Sequence, residues 1–162
     1  LAAGPRAGRR AVTPRAGGTP RRAPPSPGRL ARLAWAAPTT LIGLLAAAPL
    51  WALGARGRVV DGVLELSARR PGAALRALAR HLPFEAMALG HVVLAIDARA
   101  MRRWRAHERV HVRQAERWGP LFVPLYLGAS ALCWLRGRDA YRDNPFEREA
   151  FAVGARRHTR RS

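Results

Sequence analysis

The sequence has a single cysteine, Cys133, and no lysine. One thiol excludes a disulfide framework and any zinc module built from several cysteines. Carboxylates are scarce too: there are 10 in 162 residues, and the first is Asp61. No glycine repeat marks a collagen-like chain. What is abundant is arginine and apolar surface. All 29 basic residues are arginine, the formal net charge is +19, and hydrophobic residues make up 49%. That apolar share excludes a wholly disordered chain. The surplus of permanent positive charge suits a nucleic acid or an anionic membrane surface, and does not choose between them. The length fits one domain with appendages.

The charge is uneven along the chain. Leu1–Arg32 holds eight arginines and no acid, and the last seven residues hold four more. Residues 1–30 are rich in Pro, Gly and Ala and bury too little apolar surface to offset their chain entropy, so they read as a disordered basic segment. Residues 156–162 read as a basic tail. A basic run alone is a weak motif, which ranks nucleic-acid binding lowest among the functional readings.

Leu33–Ala55 runs 23 residues without a charge. As a helix it reaches roughly 34 Å, enough for a hydrocarbon core of about 30 Å. Trp35 and Trp51 lie near its ends, where aromatic belts form. Residues 33–55 therefore read as an N-terminal transmembrane helix or signal anchor, giving a single-pass protein of a bacterial inner or plasma membrane. A cleavable signal peptide and a buried core helix are the competing readings, although Ala46-Ala47-Ala48 followed by Pro49 is a poor cleavage site. Residues 57–155 form the candidate domain.

Within that domain, Val59–Leu66 reads as a hairpin turning at Asp61-Gly62. Pro71 opens a short amphipathic helix with Leu75, Leu78, Ala79 and Leu82 on one side. Met87–Ala95 reads as one buried or edge strand. Asp97 caps a helix over 98–118 that Gly119-Pro120 ends. On this helix Arg105, Arg109, Arg113 and Arg117 recur every four residues, which reads as a solvated basic face or one lying against anionic headgroups. His81, His91 and His158 read as a helix-end, a packed strand and a solvated tail residue. Cys133 reads as an inert buried thiol, and the five Trp as core and interface anchors.

His107-Glu108-Arg109-Val110-His111 is HExxH. Two histidines at i and i+4 project from one helical face and can converge on one Zn²⁺. The intervening Glu108 can then reach a water at the metal and act as general base. A catalytic zinc generally takes three protein ligands. Downstream, Asn144 and Pro145 are a good N-cap and first residue of another helix. Glu147 there fits a capping box with Asn144, and Glu149 a first-turn carboxylate. Either is a candidate third ligand.

HExxH followed by Glu-x-x-Ala on a later helix resembles the gluzincin pattern of zinc metallopeptidases. The resemblance implies a small zincin-like α+β domain, zinc held by His107, His111 and Glu147, and cleavage of a peptide or protein substrate with Glu108 as base. HExxHxxQ, ending at Gln114, is similar to a wider set of zincin-like domains. The string from His107 to Phe151 also resembles small bacterial proteins with an N-terminal apolar segment. In one respect the chain departs: many gluzincins follow Glu-x-x-Ala with an Asp that orients a ligand His, and here that position is Phe151, with Asp139, Asp143 or Asn144 as substitutes. The alternative is a non-catalytic metal-binding or structural membrane protein.

Trp118–Leu135 is a second uncharged run, of 18 residues. If it crossed a bilayer, His107/His111 and Glu147 would face opposite sides. A shared zinc thus requires it to fold back, and Pro120, Pro124 and Gly128 suit a kinked buried or re-entrant segment.

Overall fold

A computed structural model of the chain describes residues 26–81 and 84–158. It is a mixed α+β structure around one four-stranded sheet. The described elements run α1 Pro27–Trp35, α2 Ala37–Ala52, β1 Arg56–Val60, β2 Val63–Ala68, α3 Ala73–Ala79, β3 Ala86–Leu89, β4 Val92–Asp97, α4 Ala98–Trp118, a 3₁₀ turn Gly119–Leu121, α5 Phe122–Leu135 and α6 Pro145–His158.

The sheet order is β1-β2-β4-β3; β2 and β4 are parallel and the outer pairs antiparallel. Strand alternation splits the apolar residues between two faces. Val63, Val93 and Ala95 pack with Ala100, Met101 and Val112 of α4. Leu66, Val92 and Leu94 pack with Ala47 of α2. The sheet is thus sandwiched between α4 and α2. The Asp61-Gly62 turn forms as expected, with φ of 49° and 80° at its two central residues, the double positive φ that a two-residue hairpin loop requires.

The uncharged stretch 33–55 is not one straight helix. It breaks at Ala36, and α1 and α2 meet at a 61° bend. Pro38 explains the break: it cannot donate to the carbonyl of Ala34, and its ring would clash there. Residues 1–25 of the expected disordered segment lie outside the described residues. Its end is helical, since Pro27 sits at the start of α1 with its φ already suited to a helix. By length and composition, the described helix that could cross a membrane is the continuous run Ala98–Leu135; the bent α1–α2 pair passes only if its two members count as one span.

Four further expectations change. Met87–Ala95 is two strands, β3 and β4, turning at Gly90-His91, because Thr40 of α2 presses on the turn and its Oγ1 accepts the His91 N–H at 3.1 Å. The short helix starts at Ala73; Pro71 instead offers its carbonyl to Arg76. Leu75 is buried as expected, and Leu82 lies outside the described residues. The arginine stripe is not wholly solvated. Arg105 and Arg109 reach the buried Glu65 on β2 at 2.9 and 3.2 Å, joined by Arg58 at 3.1 Å; Arg113 and Arg117 are exposed. Residues 156–158 of the expected basic tail belong to α6, and residues 159–162 lie outside the described residues.

Candidate metal centre

α4 begins where β4 ends. The Asp97 carboxylate accepts the N–H groups of Arg99 and Ala100 and so caps the helix. Ten and fourteen residues on, His107 and His111 lie on one buried face, one turn apart. After α5 the chain folds back. Asn144 donates to Tyr126 O and Ser130 Oγ, both on α5, while its Oδ1 accepts the Phe146 N–H and starts α6. Helical phase then turns Glu147 inward and Glu149 outward.

Glu147, not Glu149, meets the histidines. His107 Nε2 lies 3.1 Å from Glu147 Oε2, and His111 Nε2 lies 3.3 Å from Glu147 Oε1. The two Nε2 atoms are 3.2 Å apart. All three side chains are buried and form the group among the described residues with metal-ligand geometry. For tetrahedral donors about 2.0–2.1 Å from zinc, neighbouring donors lie roughly 3.3 Å apart. The observed spacings are of that size, so the three residues could hold a metal ion. Three electron-rich donors facing one point, away from water, also call for a cation between them.

The supporting contacts differ from those expected. Glu147 makes no capping box; the Tyr126 hydroxyl donates to its Oε1 at 2.7 Å. Gln114 Oε1 lies 2.8 Å from His111 Nδ1, which fixes that nitrogen as the donor and leaves Nε2 for a metal. Gln114 Nε2 donates to Phe146 O and to Glu149 Oε2, tying α4 to α6. Gln114 therefore orients the His111 ring. The HExxHxxQ pattern carried that signal. For His107 there is no such group among the described residues: its Nδ1 has no hydrogen-bond partner there, and Phe151 packs on the ring at 4.8 Å between centroids. Asp139 and Asp143 instead bond backbone N–H groups of their own turn.

Burial and charge set the protonation of the group. Burial acts to raise the Glu147 pKa, but His107, His111 and Tyr126 outweigh it and hold the carboxyl far below the ordinary range. Burial acts to lower His111, and Glu147 and Gln114 reverse this, so its pKa rises. Glu108 is buried and makes no ion pair; burial pushes its pKa up to about 7, against the pull of His111 and His107. Its Oε2 has no hydrogen-bond partner.

Glu108 faces a cavity of about 270 Å³ between α4, α5 and β3. Ala86, Met87, Ala88 and Leu89 form one wall, and Phe122, Val123 and Leu127 another. His91 and His81 stand apart. His91 lies at the β3–β4 turn and pairs with Glu116 at 3.0 Å, and His81 is exposed beyond α3. Compared with models of known protein families, with curated proteins and with solved structures, the chain matches none.

Proposed function

We propose that this protein is a membrane-associated zinc metallopeptidase of gluzincin type. The observation that carries the reading is the buried His107/His111/Glu147 group, with donor spacings of 3.1–3.3 Å and Glu108 beside it at the cavity. His107 and His111 would hold zinc through Nε2, and Glu147 through a carboxylate oxygen. Bound there, zinc would polarise a substrate carbonyl and make water acidic enough to attack near neutral pH. Glu108 takes the proton of the attacking water and returns it to the leaving amide nitrogen, so the carbonyl carbon gains an oxygen as the peptide bond breaks. Burial acts to raise the Glu108 pKa, which suits a group that both accepts and returns a proton. β3 is an edge strand that lines the cavity, and an extended peptide would pair along it. The apolar walls favour apolar side chains in that peptide.

A second reading, a metal-binding protein without catalysis, is favoured by the unpartnered His107 Nδ1 and by Phe151 where an acid would orient it. Metal analysis and peptide-library cleavage separate the two. The leading reading expects one zinc per chain, lost in His107→Ala and kept in Glu108→Gln, with cleavage abolished in both. Zinc without Glu108-dependent cleavage would leave the second reading. No zinc would remove both.

A further inference from the structure

The outer faces of α2 and α5 are built the wrong way round for contact with water. On α2 the small residues Thr39, Gly43 and Ala47 point inward, at intervals of four. Gly43 presses so closely on β3 and the β4 start that an added Cβ would lie 2.6 Å from Leu89 O. The large residues point outward: Leu41 and Leu45 are 60% and 75% exposed. A helix of a water-soluble domain does the reverse. On α5, Leu132, Trp134 and Leu135 are exposed, the last two at 70% and 72%. Neither helix contains an ionisable side chain except Tyr126 and Cys133, which face inward.

Their ends are alike. Trp35 and Trp51 bracket α2, and Trp118 and Trp134 bracket α5. The members of each pair are 16 residues apart in the chain. The Trp35 ring lies against Gly119, so the N-terminal ends of both helices meet at one aromatic junction, which Thr39 also bonds through Gly119 O. Arginines flank each segment: Arg32 and Arg56, then Arg117 and Arg136. Trp at the ends of a charge-free stretch, with arginine beyond it, is the pattern of a headgroup boundary.

We infer that the outer faces of α2 and α5 together seat the domain in one leaflet of an anionic lipid bilayer, without either helix crossing it. The fold opposes crossing. Asn144 and Glu147 meet α5 at Tyr126 and Ser130, half-way along it. If α5 spanned the bilayer, the neighbouring Arg142 and Asp143 would be drawn to its middle, at a cost of several kcal/mol. α2 is likewise committed on one side to the sheet. Each helix has only its outer face to offer. The inference refines the membrane association proposed above and is independent of the metal chemistry.

The test uses the full chain with vesicles of phosphatidylcholine, alone or mixed with phosphatidylglycerol. Flotation with the mixed vesicles is expected, weaker with the neutral ones and weaker at high salt. Leu45→Glu with Leu135→Glu should lower partitioning by about 100-fold while the far-UV CD spectrum is unchanged. Single cysteines at Arg117→Cys and Arg138→Cys, on a Cys133→Ser background, should both react with an impermeant maleimide added outside. Wild-type protein that stays in solution, or a double variant that floats equally well, would overturn the inference. So would labelling of only one of the two cysteines, which means a span, or a lipid-free dimer that covers these faces. Zinc content and Glu108-dependent cleavage, read on the same samples, score the enzymatic proposal separately.

Discussion

Glu65→Leu should cost the fold more than any other single carboxylate change outside the metal centre. The Glu65 side chain is 1% exposed and receives Arg105, Arg109 and Arg58 at 2.9–3.2 Å. Removing it leaves two α4 arginines against an apolar sheet. Breaking a fully buried pair costs about 3–5 kcal/mol. Here the Arg105 and Arg109 side chains keep 34% and 19% exposure and can turn partly to water, which brings the loss to about 2–3 kcal/mol. For a chain of this size that is a fall in Tm of roughly 4–12 °C. Thermal unfolding followed by circular dichroism reads it directly. Adding Arg105→Leu and Arg109→Met should recover most of the loss, since an apolar trio needs no charge partner. The pH dependence has a definite sign. Burial acts to raise the Glu65 pKa, but Arg105, Arg109 and Arg58 together bring it below the ordinary 4.5. A depressed folded pKa gives stabilisation that is complete above about 4.5 and is lost as pH falls through the folded value. The gap between wild type and Glu65→Leu should therefore close in acid below pH 4.5. A Tm change under about 2 °C at pH 7, or a gap that widens in acid, would refute the clamp.

Three other outcomes follow from the same geometry. Tyr126→Phe removes the hydroxyl that holds Glu147, and should weaken zinc binding by about 10–100-fold in competition with a chromophoric chelator, without unfolding the chain. Gly43→Ala places a Cβ 2.6 Å from Leu89 O; α2 should detach from the sheet, seen as faster proteolysis after Arg56 or Arg58 and a Tm lowered by several degrees. Glu108 must be ionised to accept a proton and has a pKa of about 7. A divalent cation held by His107, His111 and Glu147 would pull that value down, so on the proposed mechanism kcat/KM should rise with pH through an acid limb below 7, and a profile without any acid limb would exclude Glu108 as base.

Much of the candidate site was legible because its signals are local. HExxH states its own helical phase, Asn144-Pro145 marks a helix start, Asp61-Gly62 names a turn, and Asp97 names a cap. The choice of Glu147 over Glu149 was not local. Both suit a first helical turn, and only the return of α6 against α5, fixed by Asn144 and Tyr126, decides between them. The arginine stripe misled for the same reason, since its partner Glu65 lies 40 residues away from Arg105. The β3–β4 turn was hidden because MALGHVVLA carries one weak turn signal, Gly90, and the contact that exploits it comes from Thr40 on a distant helix. The bend at Ala36 was readable from Pro38, whose missing N–H and ring act on its own helix.

Asp97 is both the last residue of β4 and the cap of α4, so no loop separates strand from helix. The rotation of α4 about its own axis is consequently indexed by the pleat of the sheet. One residue inserted between Asp97 and His107 would advance the histidine pair by about 100° and 1.5 Å. Glu147, tied to α4 through Gln114 and carried on the chain downstream of the insertion, would turn with them, so the group would stay together but swing away from β3 and the sheet. The stretch from Ala98 to Ala106 should therefore accept exchanges of side chain far more readily than any change of length.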